Sequence, residues 1–330
     1  MLDHFVVSVV VAPLLVLIGT SLLADRVRPE VAAPVIAWSA LVVASASFVN
    51  LVLFGLQAVA EFPRVAALGG WSSEMVRAGT EPVAWVPEAA LAWVVAATLA
   101  VAYGCRRHRR ALGAAWSTVD GLGLGGLGGG GGDGGDGRDG GRDSDVVVVD
   151  DERVEAFALP GRPGAAGRVV ITSGLRETVD SRLYEAVVAH ERAHLARRHH
   201  RLVWRVRLAG LLQPILWPVI SRVDYLVERA ADEAAARSVG DRDDVARALA
   251  HTALASLGPG RASGRRMGPL AMNSSPGVVP RRIAAIMSPA QTRRWLLAVP
   301  LLLAAGTVVW TFECAYDLHE LVALARGAGG

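Results

Sequence analysis

Ala189-His190-Glu191-Arg192-Ala193-His194 is the stretch on which the reading of this chain turns. It lies in a segment without proline or glycine, so it reads as helix from a cap at Asp180 through Glu185 and on toward Arg207. On a helix, positions i and i+4 share a face one turn apart. His190 and His194 can then both reach one tetrahedral Zn²⁺, at about 2.0–2.1 Å from each nitrogen. Glu191 stands beside them, where it can take a proton from a water activated by such an ion. The chain has 8 His, so chance would supply roughly 0.01 such patterns. A third ligand is needed, with one position left open for water. Downstream, Leu226-Val227-Glu228-Arg229-Ala230-Ala231-Asp232-Glu233 is again helical in character, with Glu228 and Asp232 four apart. Glu228 is the expected third ligand. Asp232 is expected to accept the other ring N–H of a ligand histidine and so fix its orientation. The expected cofactor is one Zn²⁺ per chain.

Working outward, three short runs of strand character precede the helix, the first and third rich in β-branched residues. Val146–Val149, Val154–Leu159 and Arg168–Thr172 read as strands, stopped by Asp150-Asp151, Pro160-Gly161 and Ser173-Gly174. A composed domain is therefore expected over 145–290. Before it, residues 121–142 contain 14 glycines, too little apolar area to order a backbone. Residues 106–144 read as a basic, Gly-rich linker, and its 22-residue glycine run would reach roughly 26 Å. Leu208–Ile220 is uncharged and too short to span a bilayer. It reads as re-entrant, interfacial or core, and flanking Trp204 and Trp217 favour contact with the inner leaflet. His199 and His200, inside Arg197-Arg198-His199-His200-Arg201, read as a membrane-proximal basic stretch near anionic headgroups. His251, in an Ala-rich helical run, is a candidate to steady an oxyanion.

The remaining chain is strongly apolar; hydrophobic residues make up 52% of the whole, an excess gathered into blocks. Four runs suit a bilayer of about 20 residues' thickness: about 5–24, 31–57, 85–105 and 295–312. The first starts Met-Leu-Asp-His with no basic residue, which suits a span better than a cleaved signal. Arg26, Arg28, Arg106, Arg107, Arg109, Arg110, Arg293 and Arg294 flank one side, against Arg64, Arg77 and Arg326 on the other. That bias puts the N-terminus and the tail after 312 outside, and 106–294 in the cytoplasm. Cys105 and Cys314 then sit at opposite faces, and no disulfide is expected. The chain has no lysine, which excludes Schiff-base and P-loop chemistry. With a net charge of +3 and dispersed arginine, no direct nucleic-acid partner is expected; membrane lipids are.

These residues together resemble gluzincin metallopeptidases. The closer likeness is to the BlaR/MecR antirepressor group of membrane zinc peptidases, with HtpX proteases and CAAX prenyl endopeptidases as relatives. The likeness rests on Ala156-Phe157-Ala158-Leu159-Pro160-Gly161, Ile171-Thr172-Ser173-Gly174-Leu175, Ala189–His194 and Glu228-Arg229-Ala230-Ala231-Asp232. It implies a mainly α membrane protein: four transmembrane helices and a cytoplasmic α+β zincin domain with a small sheet. It implies zinc on His190, His194 and Glu228, with Glu191 as base and Asp232 behind the ligands. It suggests an extended substrate added to the Ala156–Leu159 strand. The implied activity is a zinc endopeptidase in regulated proteolysis of a cytoplasmic repressor, such as a winged-helix transcriptional repressor. Membrane-protein quality control, and a signalling protein with a structural or vestigial zinc site, are the alternatives. There are departures. No Ser-x-x-Lys motif follows the last apolar run, so sensing by acylation is not expected. Where prenyl endopeptidases place a His-Pro pair before a basic residue, this chain has Ser275-Pro276 and then Arg281-Arg282-Ile283. Arg282 is thus a candidate transition-state stabiliser.

Overall fold

The computed structural model describes residues 2–23, 26–78, 85–121, 144–255, 278–288 and 293–327. The Gly-rich run and Ser275-Pro276 lie outside them. The chain is mostly helical with one small sheet. Leu2–Val6 (α1), a π-helical turn Val7–Val11 and Ala12–Leu23 (α2) form the first apolar segment. Pro29–Ala60 (α3) follows, then the short Pro63–Gly69 (α4) and Ser73–Ala78 (α5), and then Val86–Gly121 (α6). Ala298–Gly327 (α13) is the last helix, entered through a 3₁₀ turn at Arg294–Leu297. Among the described residues, three helices are long and apolar enough to cross a membrane: Pro29–Ala60, Val86–Gly121 and Arg294–Gly327. The first segment contributes a shorter apolar stretch, Val7–Leu23.

Pro13 explains why that segment is irregular. It has no N–H, so it cannot bond the carbonyl of Val9, four residues back, or that of Ser8, five back. The N–H of Ala12 goes to Val7 instead. Buried carbonyls need donors, and side chains from elsewhere supply them. The Ser47 hydroxyl of α3 donates to the Ser8 carbonyl. The Gln213 amide donates to the Val9 carbonyl at 3.0 Å. Asn50 donates to the Ser8 hydroxyl at 2.6 Å.

Two helices overrun their apolar cores. α13 continues to Gly327, through residues expected as an external tail. α6 continues through Arg106–Arg110 to Gly121, where a linker was expected. Arginine and alanine are good helix formers, so a change of polarity there is no reason for the helix to stop. The end of α6 has a partner. Ala115, Trp116 and Val119 bury against Val147, Val149, Phe157, Leu159 and Val170, and the Trp116 indole donates to the Pro160 carbonyl at 3.1 Å.

Those residues belong to a three-stranded sheet of Val146–Val149 (β1), Ala156–Leu159 (β2) and Arg168–Thr172 (β3), in the order β1-β3-β2. β1 runs parallel to β3 and β2 antiparallel to it, so β2 is an edge. A short helix Ser173–Thr178 (α7) leads from the sheet to Ser181–Ala196 (α8). α8 covers the other face, with Val188, Tyr184 and Leu195 against Val169, Ile171 and Leu175.

The single helix expected from Asp180 toward Arg207 is two. α8 ends at Arg197, Arg198 adopts φ 52° and ψ 43°, and His199–Leu212 (α9) begins. A left-handed turn at a residue with a side chain costs about 1–2 kcal/mol, and no glycine or proline marks it. A 3₁₀ turn at Pro214–Leu216 leads to Trp217–Val239 (α10), followed by Arg242–Ala255 (α11) and Val278–Met287 (α12). The uncharged run Leu208–Ile220 is the apex of the α9–α10 hairpin. It packs among the long helices: Leu211 lies against Gly104 of α6, and the Trp93 indole donates to the Leu212 carbonyl at 3.3 Å. Val206, Leu216, Val219, Val223 and Val227 share one core with Val16, Ile36 and Ala40.

Candidate metal centre

α8 is held in register by both ends of its buried face. Asp180 caps it, accepting from the Leu183 N–H at 2.9 Å. Arg192 pairs with Asp145 at 2.6 Å, just ahead of β1. With α8 fixed on the sheet, His190 and His194 project from the opposite side toward α10. There Glu228 and Asp232 face them, as spacing of four on a helix requires.

Three groups converge. His190 Nε2, His194 Nε2 and the Glu228 carboxylate lie within 4.8 Å of one another. The two Nε2 atoms are 3.1 Å apart. Glu228 Oε2 is 3.5 Å from His190 Nε2, and Oε1 is 3.6 Å from His194 Nε2. Behind this trio, His190 Nδ1 meets Asp232 Oδ1 at 3.0 Å. His194 Nδ1 meets Nδ1 of His199, a buried residue at the start of α9, at 3.2 Å. Arg282 of α12, 3% exposed, grips both carboxylates. It meets Glu228 Oε2 at 2.7 Å and Asp232 through two bonds of 2.7 and 2.9 Å.

This geometry fits a divalent ion of the zinc type. The donor set is two imidazoles and one carboxylate, the composition of open, catalytic zinc sites. Both Nδ1 atoms are engaged from behind, so both Nε2 atoms turn toward the third donor. The side chains of His190, His194 and Glu228 stay 15%, 13% and 13% exposed, leaving an open side that a closed structural site would lack.

The electrostatics follow from burial and from Arg282. Burial alone would lower His190, but hydrogen bonds to Asp232 and Glu228 outweigh it and hold the ring up at about 10. Burial would raise Glu228 and Asp232; Arg282 first and His190 after it pull both below the usual carboxylate range. His194, lacking a carboxylate at Nδ1, is lowered to about 4 by burial and by the positive charge of His190 and Arg282, against the pull of Glu228. Burial, with repulsion from Glu228, pushes Glu191 up to about 7, against the pull of His190 and of the nearby Ala158 main chain.

The structure therefore brings His190, Glu191, His194, Glu228, Asp232 and Arg282 together. Arg282 contacts the acidic groups of α10, a placement the sequence did not specify. His251 lies on α11, which packs on α8. Its Nδ1 is buried without a hydrogen-bond partner among the described residues. His199 was read as part of a basic surface stretch; its burial against His194 is what that reading missed. Spacing gave no cue: five residues past His194 falls about 140° round a continuing helix, and only the turn at Arg198 brings His199 back against that ring.

Residues 140–219 match the model of peptidase family M48. The match takes in the sheet, α8 and α9, and stops within α10 ahead of Glu228. It supports a metallopeptidase, and zinc is the metal expected of that family. No curated protein and no solved structure matches the chain.

Proposed function

We propose that the protein is a membrane-integral zinc endopeptidase whose catalytic domain faces the cytoplasm and cleaves a repressor protein in a regulatory circuit. The convergence of His190, His194 and Glu228 beside Glu191 carries the reading. An ion held there would polarise a scissile carbonyl and acidify water. Glu191 takes a proton from the attacking water and returns it to the leaving amine, a role suited to a carboxyl that titrates near neutrality. Arg282 acts through Glu228 and Asp232, holding both as carboxylates.

Substrate placement follows from register. The Thr172 N–H bonds the Glu155 carbonyl, and Ala158 pairs across from Val169. In an antiparallel ladder the bonded pairs alternate, so 155, 157 and 159 face β3 while Ala156 and Ala158 face outward. The Ala158 main chain lies beside Glu191. The outward main-chain groups of Ala156 and Ala158 can pair with an extended substrate, main chain to main chain, alongside the base.

The arginine bias supports the cytoplasmic placement and the external N-terminus and tail; reporter fusions at residue 190 and at the tail test it. The repressor substrate and its winged-helix character rest on the BlaR/MecR likeness. The packing of the α9–α10 hairpin among long apolar helices favours a second reading, HtpX-like cleavage of membrane-protein segments. Purified protein with repressor or with unfolded membrane segments as substrate separates the two. Glu191→Gln should keep its zinc and lose cleavage. Undiminished turnover would remove Glu191 from the mechanism.

A further inference from the structure

His190 and His194 are set for the same task but are backed by different groups. A ring that offers Nε2 to a metal carries its proton on Nδ1, and that N–H needs an acceptor when buried. His190 has Asp232 Oδ1 at 3.0 Å. His194 has only a nitrogen in that place, His199 Nδ1, at 3.2 Å. The two rings stand at 88° with centroids 4.9 Å apart, so they do not stack; they meet edge to edge through these atoms. Two N–H groups cannot face each other at this distance, and two bare nitrogens would leave both unsatisfied. One nitrogen donates and the other accepts.

We infer that His199 is a positioning residue for the metal centre, a neutral imidazole protonated on Nε2 whose bare Nδ1 accepts the Nδ1–H of His194. His199 is not a fourth ligand, because it meets His194 on the side away from Glu228. A second observation points the same way. Arg198 is the only non-glycine residue with positive φ among the described residues. That turn starts α9 beside α8 and puts a residue five places past His194 back against its ring. The inference rests on the reading of His190, His194 and Glu228 as metal ligands.

The test uses full-length protein in detergent, with zinc affinity measured by chelator competition. His199→Phe keeps the bulk and removes the acceptor; His199→Asn puts Oδ1 where Nδ1 was. Loss of such a partner costs about 10–100-fold in metal affinity. His199→Phe should bind zinc that much more weakly, with His199→Asn restored to near the wild-type value. Equal affinity of wild type and His199→Phe overturns the proposal and leaves the metal site standing, as does an Asn variant as weak as the Phe variant. Wild type that takes up no zinc, as His194→Ala is expected to do, overturns the underlying reading and this with it. Should His199→Phe not fold, ¹⁵N-histidine spectra of the zinc-loaded wild type decide: His199 protonated on Nε2 is expected, and a proton on Nδ1 overturns it.

Discussion

α8 and α10 each present two site residues four apart, yet they are anchored to different things. α8 is fixed to the sheet, through Val188, Tyr184 and the Arg192–Asp145 pair. α10 is fixed to the apolar helices. Arg222 donates to the Leu17 carbonyl and, at 2.9 Å, to Thr20 of α2, and Arg237 pairs with Glu30 of α3 at 2.9 Å. The histidines are thus tied to the sheet and the carboxylates to the long apolar helices, while α8 and α10 also meet through Ala186, Ala235 and Ala236. A metal bound between them is a joint between two supports, which makes the geometry of the centre depend on how both are held.

The largest effects should come from cutting the joint on either side. His190→Ala and Glu228→Ala should each abolish zinc retention, measured as metal content after dialysis; retention in either variant would mean that one helix holds the ion alone. Next is Arg282, which acts only on the α10 side. Arg282→Met takes the guanidinium from two buried carboxylates and leaves them to His190, a loss of about 3–5 kcal/mol. A lowered melting temperature of the metal-free protein is the readout, and an unchanged one would show α10 to be held without it. Gln213→Leu removes a donor from the buried Val9 carbonyl, at a cost of about 1–3 kcal/mol. Hydrogen exchange should quicken in α10 and not in α8; equal protection in both would erase the contrast.

The smallest effect is a proton count. His190 is held protonated up to about pH 10 in the metal-free protein, against an ordinary 6.5. Its contribution to metal-free stability is full below 6.5 and lost as pH rises through about 10. Ligation needs bare Nε2, so zinc uptake at pH 8 should release a proton from this site. Calorimetry in buffers of different ionisation enthalpy reads it, and a buffer-independent heat would contradict the Asp232–His190–Glu228 arrangement.

The sequence was most legible where a period repeats. Spacing of four selected His190, His194, Glu228 and Asp232, and short apolar runs closed by Asp-Asp, Pro-Gly and Ser-Gly marked the three described strands, β2 beginning two residues late. It was least legible where a feature depends on a distant partner. Nothing local stops a helix at Arg198, and nothing local says that Trp116 will find the sheet and carry α6 past its apolar core. Arg282 is basic in any reading; only the fold shows that it pairs with Glu228 and Asp232.

Pro13 reaches further than its size suggests. The two carbonyls it strands are sockets, one filled from α3 and one by Gln213 at the tip of the hairpin that carries Glu228. Alanine at position 13 would bring back a main-chain N–H able to close the ladder by itself. The helix would then mend, and the plug from the hairpin would have nowhere to sit. A change at the start of the chain would loosen the carboxylate side of the centre without touching a single group that meets the ion.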